Sequence, residues 1–363
     1  MSDERAEPSP ATGVPLELAA RTEPPPRKIL IIKPSSLGDV VTAVGALRGL
    51  RRAFPDAHIA WLAASAHAPI LEGDPDLNDL IVYDRLLLRR WWRSPRAYWA
   101  LRSLCRRLRK ERFDWAVDFQ GLFRSGYFAR ATRAPLRAGF ADARECAGLF
   151  YNLRVPVTAE HTVDRNRQLA AALGVDVRPE DMRLNVSPAG AAFAEEFCRR
   201  HNLRGKDFVL CVPFTRGKVK NYPVRRWREV VLGLRDVSRV VLLGSPGDAP
   251  AAEAIVTGLA GEVVNLVGQT DIPQMVGLIA RSAAVVCGDS AAKFIAPAVG
   301  APAVVVIGPT RVERTGPYLL GRAVVAEVAC QGCLQRSCRH ITCMESIEPA
   351  RVIAAARELL AGV

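Results

Sequence analysis

Asp39 lies in the segment Ser35-Ser36-Leu37-Gly38-Asp39, between an apolar strand-like run and an amphipathic helical pattern. A strand-to-helix turn of this kind is suited to binding a phosphate, because the free N–H groups of a helix N-terminus point outward. A carboxylate there would repel a phosphate, but it can act as a general base that accepts a proton from a hydroxyl group. Asp is also a favoured helix-capping residue, and position alone leaves both roles open.

The turn after the first apolar run excludes two common nucleotide sites. It has neither the three-glycine dinucleotide fingerprint nor the Gly-Lys-Ser/Thr ending of a P-loop. A standard dinucleotide cofactor or a Walker-type ATPase is therefore not expected.

A cationic loop follows a later apolar run. In RGKVKNYPVRRW, residues 216–227, Arg216, Lys218 and Lys220 precede a helix that starts at Pro223. Cations at the mouth of a cleft suit the phosphates of a nucleotide and can offset the charge of a departing nucleoside diphosphate. A solvated basic loop is the alternative. The loops at 244–248 and 288–294 precede further helices, and each can bind phosphate or ribose or be a simple capped turn.

Cysteines are concentrated near the end of the chain. Cys330, Cys333, Cys338 and Cys343 lie within fourteen residues. Four thiolates can hold zinc or iron in a tetrahedral structural site, although this spacing is not that of a common zinc ribbon. Reduced thiols or a disulfide are the alternatives.

Arg and Lys are most concentrated over residues 85–114, which also contain Trp91, Trp92 and Trp99. Basic residues with aromatic neighbours suit a peripheral contact with anionic lipid or an acidic glycan. No nucleic-acid-binding motif accompanies them. A solvated helix face with its Trp residues packed inward is the alternative.

Regular elements must position these residues. Apolar runs at 28–33, 58–63, 79–84 and 113–119 alternate with helical patterns, and a second series occupies 207–214, 238–245, 262–268, 283–290 and 302–310. This alternation predicts an α/β fold of two doubly wound parallel sheets. We expect a disordered tail over 1–27, domains over 28–184 and 185–345, and a C-terminal helix over 346–363.

Ligands of doubly wound sheets bind beyond the carboxyl ends of the strands. Asp39, the 118–121 turn and the loops at 215–220, 244–248 and 288–290 each follow a predicted strand. With two domains, the cleft between them is the expected site.

Composition agrees with a globular protein that works in the cytoplasm on an anionic ligand. The chain has 363 residues, 49% of them hydrophobic, and a formal net charge of +13. Residues 1–27 are proline-rich and lack the apolar core of an export signal. No apolar stretch is long enough for a transmembrane helix.

Taken together, several motifs in order resemble the lipopolysaccharide heptosyltransferases of glycosyltransferase family 9. They are KPSSLGDVVTAVGALRGLRRAFPDAHIAWL, FDWAVDFQGLFRSG (113–126), ARECAGLFYN (143–152), HTVDRNRQL (161–169), KNYPVRRW (220–227), GDS, GPT (308–310) and the final CxxC…CMESIEPARV. The resemblance covers about residues 28–355. It implies a GT-B fold: two Rossmann-like domains facing a central cleft.

The resemblance also implies an inverting transfer of heptose from ADP-heptose to a Kdo residue of lipid A, at the inner face of the cytoplasmic membrane. Asp39 would be the general base, and Lys220 would stabilise the departing ADP. The implied donor-binding residues are Thr215, Arg216, Asp248, Asp289 and Ser290, and the implied acceptor-binding residues are Ser36, Gln120, Arg124, Arg144 and Arg165. No metal is implied for the chemistry. The anionic membrane surface is an expected partner, and nucleic acid is not.

Two positions depart from the family pattern. Family members usually have Asp-Ser/Thr-Gly and then His three residues beyond the Gly, whereas this chain has Ala291 and Phe294 there. Ala disfavours a positive-φ turn, and Phe lacks the polar contacts of His. A different nucleotide-sugar or acceptor, or a non-catalytic protein that binds anionic glycans, are therefore the alternative functions.

Overall fold

Two parallel six-stranded sheets organise the chain in the computed structural model, which describes residues 24–361. The first sheet has the strand order β3-β2-β1-β4-β5-β6. Its strands are β1 (Lys28–Ile32), β2 (His58–Ala64), β3 (Asp79–Tyr83), β4 (Trp115–Asp118), β5 (Leu136–Phe140) and β6 (Leu153–Val155). The second sheet has the order β12-β11-β10-β7-β8-β9. Its strands are β7 (Phe208–Val212), β8 (Arg239–Leu242), β9 (Val263–Asn265), β10 (Ala284–Gly288), β11 (Ala303–Val306) and β12 (Gly321–Val324).

Helices connect the strands and cover both faces of each sheet. The α-helices are α1 (Leu37–Val41), α2 (Val44–Ala53), α3 (Arg85–Leu88), α4 (Pro95–Lys110), α5 (Phe123–Thr132), α6 (Thr162–Ala171), α7 (Pro188–Arg200), α8 (Val224–Arg235), α9 (Ala249–Val256), α10 (Ile272–Arg281), α11 (Ala292–Ala298), α12 (Val312–Thr315), α13 (Thr342–Glu345) and α14 (Pro349–Ala361). Short 3-10 turns occur at Ala68–Leu71, Ala147–Phe150, Pro179–Asp181, Lys218–Lys220 and Pro246–Asp248.

The central strands are apolar along their whole length because helices cover them on both faces. Every residue of β7 and β10 is buried. One large apolar cluster contains buried residues of both sheets, and a further cluster lies on the other face of each sheet. The two halves of the chain therefore share a continuous packed interior.

The strand order decides which loops meet. In the first sheet β1 lies between β2 and β4, and in the second sheet β7 lies between β8 and β10. At these points the chain changes direction across the sheet, so the loops after β1 and β4 are neighbours, and so are those after β7 and β10. Such switch points form ligand sites in doubly wound sheets.

The predicted architecture of two doubly wound domains facing a central cleft is confirmed. All nine predicted strands are present, and β5, β6 and β12 are additional. The C-terminal helix is present as α14. Most of the predicted tail, residues 1–23, lies outside the described residues. The domain bounds stay a prediction; the boundary at 184/185 falls between the two sheets.

Candidate active site

Asp39 lies in α1, the helix that follows β1. The two oxygens of its carboxylate have different environments. Ser36 donates to Asp39 Oδ2 from its backbone N–H and from its hydroxyl, both over 2.8 Å. Ser36 is the N-cap of α1 and Asp39 is the third helical residue. Within residues 24–361, Oδ1 has no hydrogen-bond partner. The half-buried Asp39 side chain therefore caps the helix through Oδ2 and leaves Oδ1 without a partner in the described residues.

Asp39 lines a cavity of about 460 Å³, which we call the central cavity. Three of the predicted acceptor-side residues, Gln120, Arg144 and Arg165, line it as well. Gln120 follows β4, the strand next to β1, which explains how segments about eighty residues apart converge. Arg124 does not line the central cavity; it lies in an adjoining hollow of about 160 Å³ that shares Gln120 with it.

Ionic and polar contacts hold the cavity walls. Arg165 donates to both carboxylate oxygens of Asp142 over 2.7 Å, and its guanidinium lies 5.2 Å from the centre of the Phe140 ring. The side chain of Arg144 makes no hydrogen bond or ion pair within the described part of the chain. Arg144 is therefore a cation free to bind an anionic ligand.

Asp118, the last residue of β4, fixes the turn that carries Gln120. Its Oδ1 accepts hydrogen bonds from the backbone N–H of Gln120 and of Gly121 at 2.8 and 3.2 Å. The Tyr151 hydroxyl donates to Oδ2 over 2.5 Å. Burial raises the pKa of Asp118, and these donors oppose that rise.

Lys33 is a site residue that the sequence interpretation missed. It ends the first apolar run, lines the central cavity and is 5% exposed. Its Nζ donates to the Phe119 carbonyl over 2.6 Å. Burial lowers the pKa of Lys33, while the charges of Asp39 and Asp118 act in the opposite direction. A lysine at the end of an otherwise apolar strand is the signal that could have revealed it.

Lys220 and Asp289 meet across neighbouring loops of the second sheet, after β7 and β10. Lys220 Nζ donates to Asp289 Oδ2 over 2.6 Å, Thr310 Oγ1 donates to the same oxygen over 2.5 Å, and Lys293 donates to Oδ1. Burial disfavours the ionised form of Asp289, but Lys293 and Lys220 outweigh it and hold its pKa at about 2. We call these four residues the Asp289 cluster.

The other predicted donor-side residues lie in the loops after β7, β8 and β10. Thr215 donates from its backbone N–H to Asn221 Oδ1 over 2.8 Å, which closes the 215–221 loop on itself. The Ser290 hydroxyl oxygen is buried and has no hydrogen-bond partner in residues 24–361. Asp248 Oδ2 accepts from the Ser245 backbone and hydroxyl at 2.8 and 2.6 Å.

Arg216 is exposed. Burial lowers the pKa of His67, which follows β2, and the charge of Arg216 lowers it further. The loop that carries Lys220 therefore faces the first domain.

Ala291 and Phe294 pack against the helix that carries Asp39. A Cβ on Gly38 would lie 3.3 Å from Phe294 Cδ2 and 3.4 Å from Ala291 Cα. Ala291 has φ −62°, so the backbone there does not need glycine. Phe294 is 6% exposed, and its ring centre lies 6.4 Å from that of His161. An apolar interdomain contact therefore occupies the position where the family usually has histidine.

The loop after β11 adds residues from the second domain that the sequence interpretation also missed. Arg311, Arg314 and Thr315 line the central cavity together with Asp39. The Thr315 hydroxyl oxygen is buried without a hydrogen-bond partner in the described residues. Arg311 lies 3.7 Å from Glu160, and Arg314 has no ion pair within residues 24–361. Since Thr310 belongs to the Asp289 cluster, this one loop contacts both regions of the site.

A metal centre was one of the alternatives for the four clustered cysteines, beside reduced thiols and a disulfide. Among residues 24–361 no three His, Cys, Asp or Glu side chains are arranged to hold a metal ion. Cys330, Cys333, Cys338 and Cys343 are free thiols, and Cys333 is exposed. Burial is the main reason that the pKa of Cys343 is raised to about 11, and the charges of the other three cysteines raise it further. The four thiols therefore lie near one another.

The basic segment exposes its aromatic residues. Trp91, Trp92 and Trp99 are 47%, 62% and 61% exposed, so the alternative of tryptophans packed inward is wrong. In the part of the chain that the structure describes, every helix is too short or too polar to cross a lipid bilayer.

Comparisons with known protein sequences point to a heptosyltransferase family. A profile described as glycosyltransferase family 9 (heptosyltransferase) matches residues 101–343, more than half of the chain. Lipopolysaccharide heptosyltransferase 1 of Pseudomonas aeruginosa is 28% identical over 328 residues, covering 86% of this chain and 88% of that protein.

Solved structures show the same fold. The ADP-heptose lipopolysaccharide heptosyltransferase II of Escherichia coli superposes with a TM-score of 0.72 at 25% identity, covering 92% of this chain and 99% of that one. A family 9 glycosyltransferase from Veillonella parvula has a TM-score of 0.78 at 19% identity, covering 93% and 98%.

Proposed function

The chain belongs to glycosyltransferase family 9, and on this premise we propose that it transfers a heptose from ADP-heptose to a Kdo residue of lipid A. One observation carries the proposal: Asp39 lines the central cavity with one carboxylate oxygen unpartnered in residues 24–361, among the cationic residues Lys33, Arg144, Arg165, Arg311 and Arg314. A base in a cationic cavity suits an acceptor sugar that carries both a hydroxyl nucleophile and carboxylates.

In the proposed reaction, Asp39 Oδ1 accepts the proton of the acceptor hydroxyl. The hydroxyl oxygen attacks the anomeric carbon of the heptose, the bond from that carbon to the diphosphate breaks, and ADP leaves with inversion of configuration. Lys220 offsets the negative charge that develops on the diphosphate. No metal or cofactor is proposed for this chemistry.

On the acceptor side, Ser36, Gln120, Arg124, Arg144 and Arg165 are proposed to bind the Kdo-containing acceptor. Ser36 is already bonded to Asp39, so it supports the base directly. Arg124 lies one hollow away from Asp39 and is suited to a more distant anionic group of the same acceptor.

On the donor side, Thr215 and Arg216 are proposed to bind near the diphosphate, and Asp248 near the ribose. Asp289 and Ser290 are proposed to bind near the sugar or the phosphates. The Ser290 hydroxyl has no hydrogen-bond partner in the described residues, which supports this role. A buried hydroxyl without a hydrogen bond destabilises the protein unless a ligand forms that bond.

We also propose that the enzyme works on the cytoplasmic side as a peripheral protein of the inner membrane leaflet. The exposed basic segment at residues 85–112 supports such contact with an anionic surface. No nucleic acid is proposed as a partner.

The test is a transfer assay with ADP-heptose and Kdo-lipid A, using the full chain and the variant Asp39→Asn. The variant keeps an oxygen that can accept from Ser36 but removes the base. We expect the rate to fall about 100- to 10,000-fold while ADP still binds. Wild-type turnover in Asp39→Asn would contradict the assigned base.

A second candidate function is transfer from a different nucleotide-sugar, favoured by Phe294 at the usual histidine position. A panel of nucleotide-sugars, measured for transfer and thermal stabilisation, separates the two. Binding of lipopolysaccharide fragments with no nucleotide-sugar binding would instead support a non-catalytic glycan-binding protein.

A further inference from the structure

An apolar groove lies between the basic segment and α5, outside the central cavity. We call it the aromatic groove. It has a volume of about 440 Å³, and its apolar lining includes Leu88, Trp91, Trp92, Phe123, Tyr127 and Phe128. Trp92 is 62% exposed and Phe123 is 51% exposed. Neighbouring apolar side chains exposed in this way mark a surface that binds a partner.

The groove adjoins the candidate active site through a chain of cavities. The central cavity and the 160 Å³ hollow share Gln120, and that hollow shares Arg124 and Glu145 with the aromatic groove. A ligand whose sugar contacts Asp39 can therefore extend past Arg124 into an apolar surface.

Arginine side chains lie next to the groove. A larger hollow of about 1080 Å³ shares Arg89 and Trp92 with it and is also lined by Arg90, Arg93 and Arg96. The side chains of these four arginines make no ion pair or hydrogen bond within residues 24–361. Free guanidinium groups next to an apolar groove match a molecule that combines phosphates with hydrocarbon chains.

We propose that the aromatic groove binds an acyl chain of the glycolipid acceptor itself, while the surrounding arginines bind its phosphates. The inference rests on the proposed function, because it takes the acceptor to be an anionic glycolipid. The acceptor is favoured over a bilayer lipid as the occupant because the groove adjoins the cavities that lead to Asp39. A lipid that only anchors the protein to a membrane has no need of that connection.

The test compares one acceptor in two forms, Kdo-lipid A with its acyl chains and the same molecule after their removal, in the same detergent. We expect wild type to have a KM for the acylated form about tenfold lower, since burying even a few methylene groups has an effect of this size. Trp92→Ala should raise the KM for the acylated form severalfold and leave turnover of the deacylated form unchanged. Tyr127→Ala should act in the same direction from α5.

Trp99→Ala is the matched control. Trp99 is 61% exposed, almost the same as Trp92, and belongs to the same basic segment, but it does not line the groove. We expect its two KM values to equal those of wild type. Equal effects of Trp92→Ala on both acceptor forms would overturn the proposal. So would a Trp92→Ala variant that loses binding to anionic phosphatidylglycerol vesicles but keeps the wild-type KM ratio, since the groove would then bind the bilayer.

A binding measurement separates failure of this proposal from failure of the proposed function. If wild type transferred heptose to neither form, the proposed function would be wrong. An acceptor with brominated acyl chains should still quench tryptophan fluorescence in wild type and Trp99→Ala, and less in Trp92→Ala. Equal quenching in all three proteins would count against the groove.

Discussion

Lys220 Nζ lies 2.6 Å from Asp289 Oδ2, although 69 residues separate the two in the chain. The Asp289 side chain is 3% exposed, and that of Lys220 is 36% exposed. A buried carboxylate between two ammonium groups thus orients a lysine that still reaches solvent. With Lys293 included, the three charged groups leave one positive charge, which suits a site for a departing diphosphate.

The first prediction concerns the stability that this carboxylate provides. Asp289→Asn leaves the buried Lys293 ammonium without its counter-charge, so we expect the free energy of unfolding to fall by about 3 kcal/mol. Urea unfolding at pH 7 measures it. Asp236→Asn, at a carboxylate that is 66% exposed, is the control and should change stability by less than about 0.5 kcal/mol. Equal unfolding curves for the two variants would refute the prediction.

The second prediction is that the stability difference between wild type and Asp289→Asn depends on pH. The pKa of Asp289 is held at about 2 in the folded protein, below its ordinary value of 3.8. A lowered pKa stabilises the fold fully above the unfolded-state value and loses that effect as pH falls through the folded-state value. The stability difference between wild type and Asp289→Asn should therefore persist at pH 5 and shrink between pH 4 and pH 2. A difference that stays constant over this range would show that charge is not its origin.

The third prediction separates the two roles of the Asp39 carboxylate. Ser36→Ala removes one of the two donors to Oδ2 and keeps the base. We expect its unfolding free energy to fall by about 1 kcal/mol, with less than a tenfold loss of turnover. Asp39→Asn should show the reverse: nearly wild-type stability and a far larger loss of turnover. Thermal unfolding and kcat of the two variants decide this, and equal loss of turnover in both would contradict it.

The fourth prediction concerns the second-domain wall of the central cavity. Arg314→Ala removes a cation that lines the cavity, so the KM for the acceptor should rise about tenfold, as expected for a lost charge-assisted hydrogen bond. Its folding stability should stay within about 0.5 kcal/mol of wild type. Lys206→Ala, at an exposed lysine before β7, is the control for lost positive charge. A KM equal to that of the control would exclude Arg314 from acceptor binding.

The fifth prediction concerns the departure at Phe294. Phe294→His places a polar ring in the apolar contact between α1 and α11, near the buried Lys293. We expect a loss of about 1–3 kcal/mol of stability, because the imidazole lacks partners there. Phe123→His, at a side chain that is 51% exposed, should be nearly neutral in the same unfolding experiment. An unchanged or increased stability of Phe294→His would show that this position still accommodates the family's histidine.

Several parts of the fold were predictable because they depend on local patterns. Nine strands were predicted from apolar runs such as KILIIK and DFVLCVPF, whose apolar strand residues are buried. Of the missed strands β5, β6 and β12, the last two have three and four residues and lie at sheet edges. Each contains an arginine, and partly exposed strands carry a weaker hydrophobic signal.

The residues of the candidate site also divide into those whose position could be predicted from the sequence and those whose position could not. The positions of Asp39, Gln120 and Lys220 after strands were predictable because each follows an apolar run, and their roles stay predictions. Thr315 was not, because nothing in its local sequence shows that its hydroxyl is buried without a partner. The four cysteines have a suggestive spacing, but spacing does not determine whether their sulfur atoms converge.

The sequence by itself determined the class of fold, nine of the twelve strands in their order along the chain, and the loops that follow them. Only the tertiary structure decided that the loops after β1 and β4 are neighbours, that Lys220 bonds to Asp289, and that the aromatic groove adjoins the central cavity. The reason is physical: side-chain periodicity reports local burial, whereas strand order and contacts between distant segments arise from how the whole chain packs.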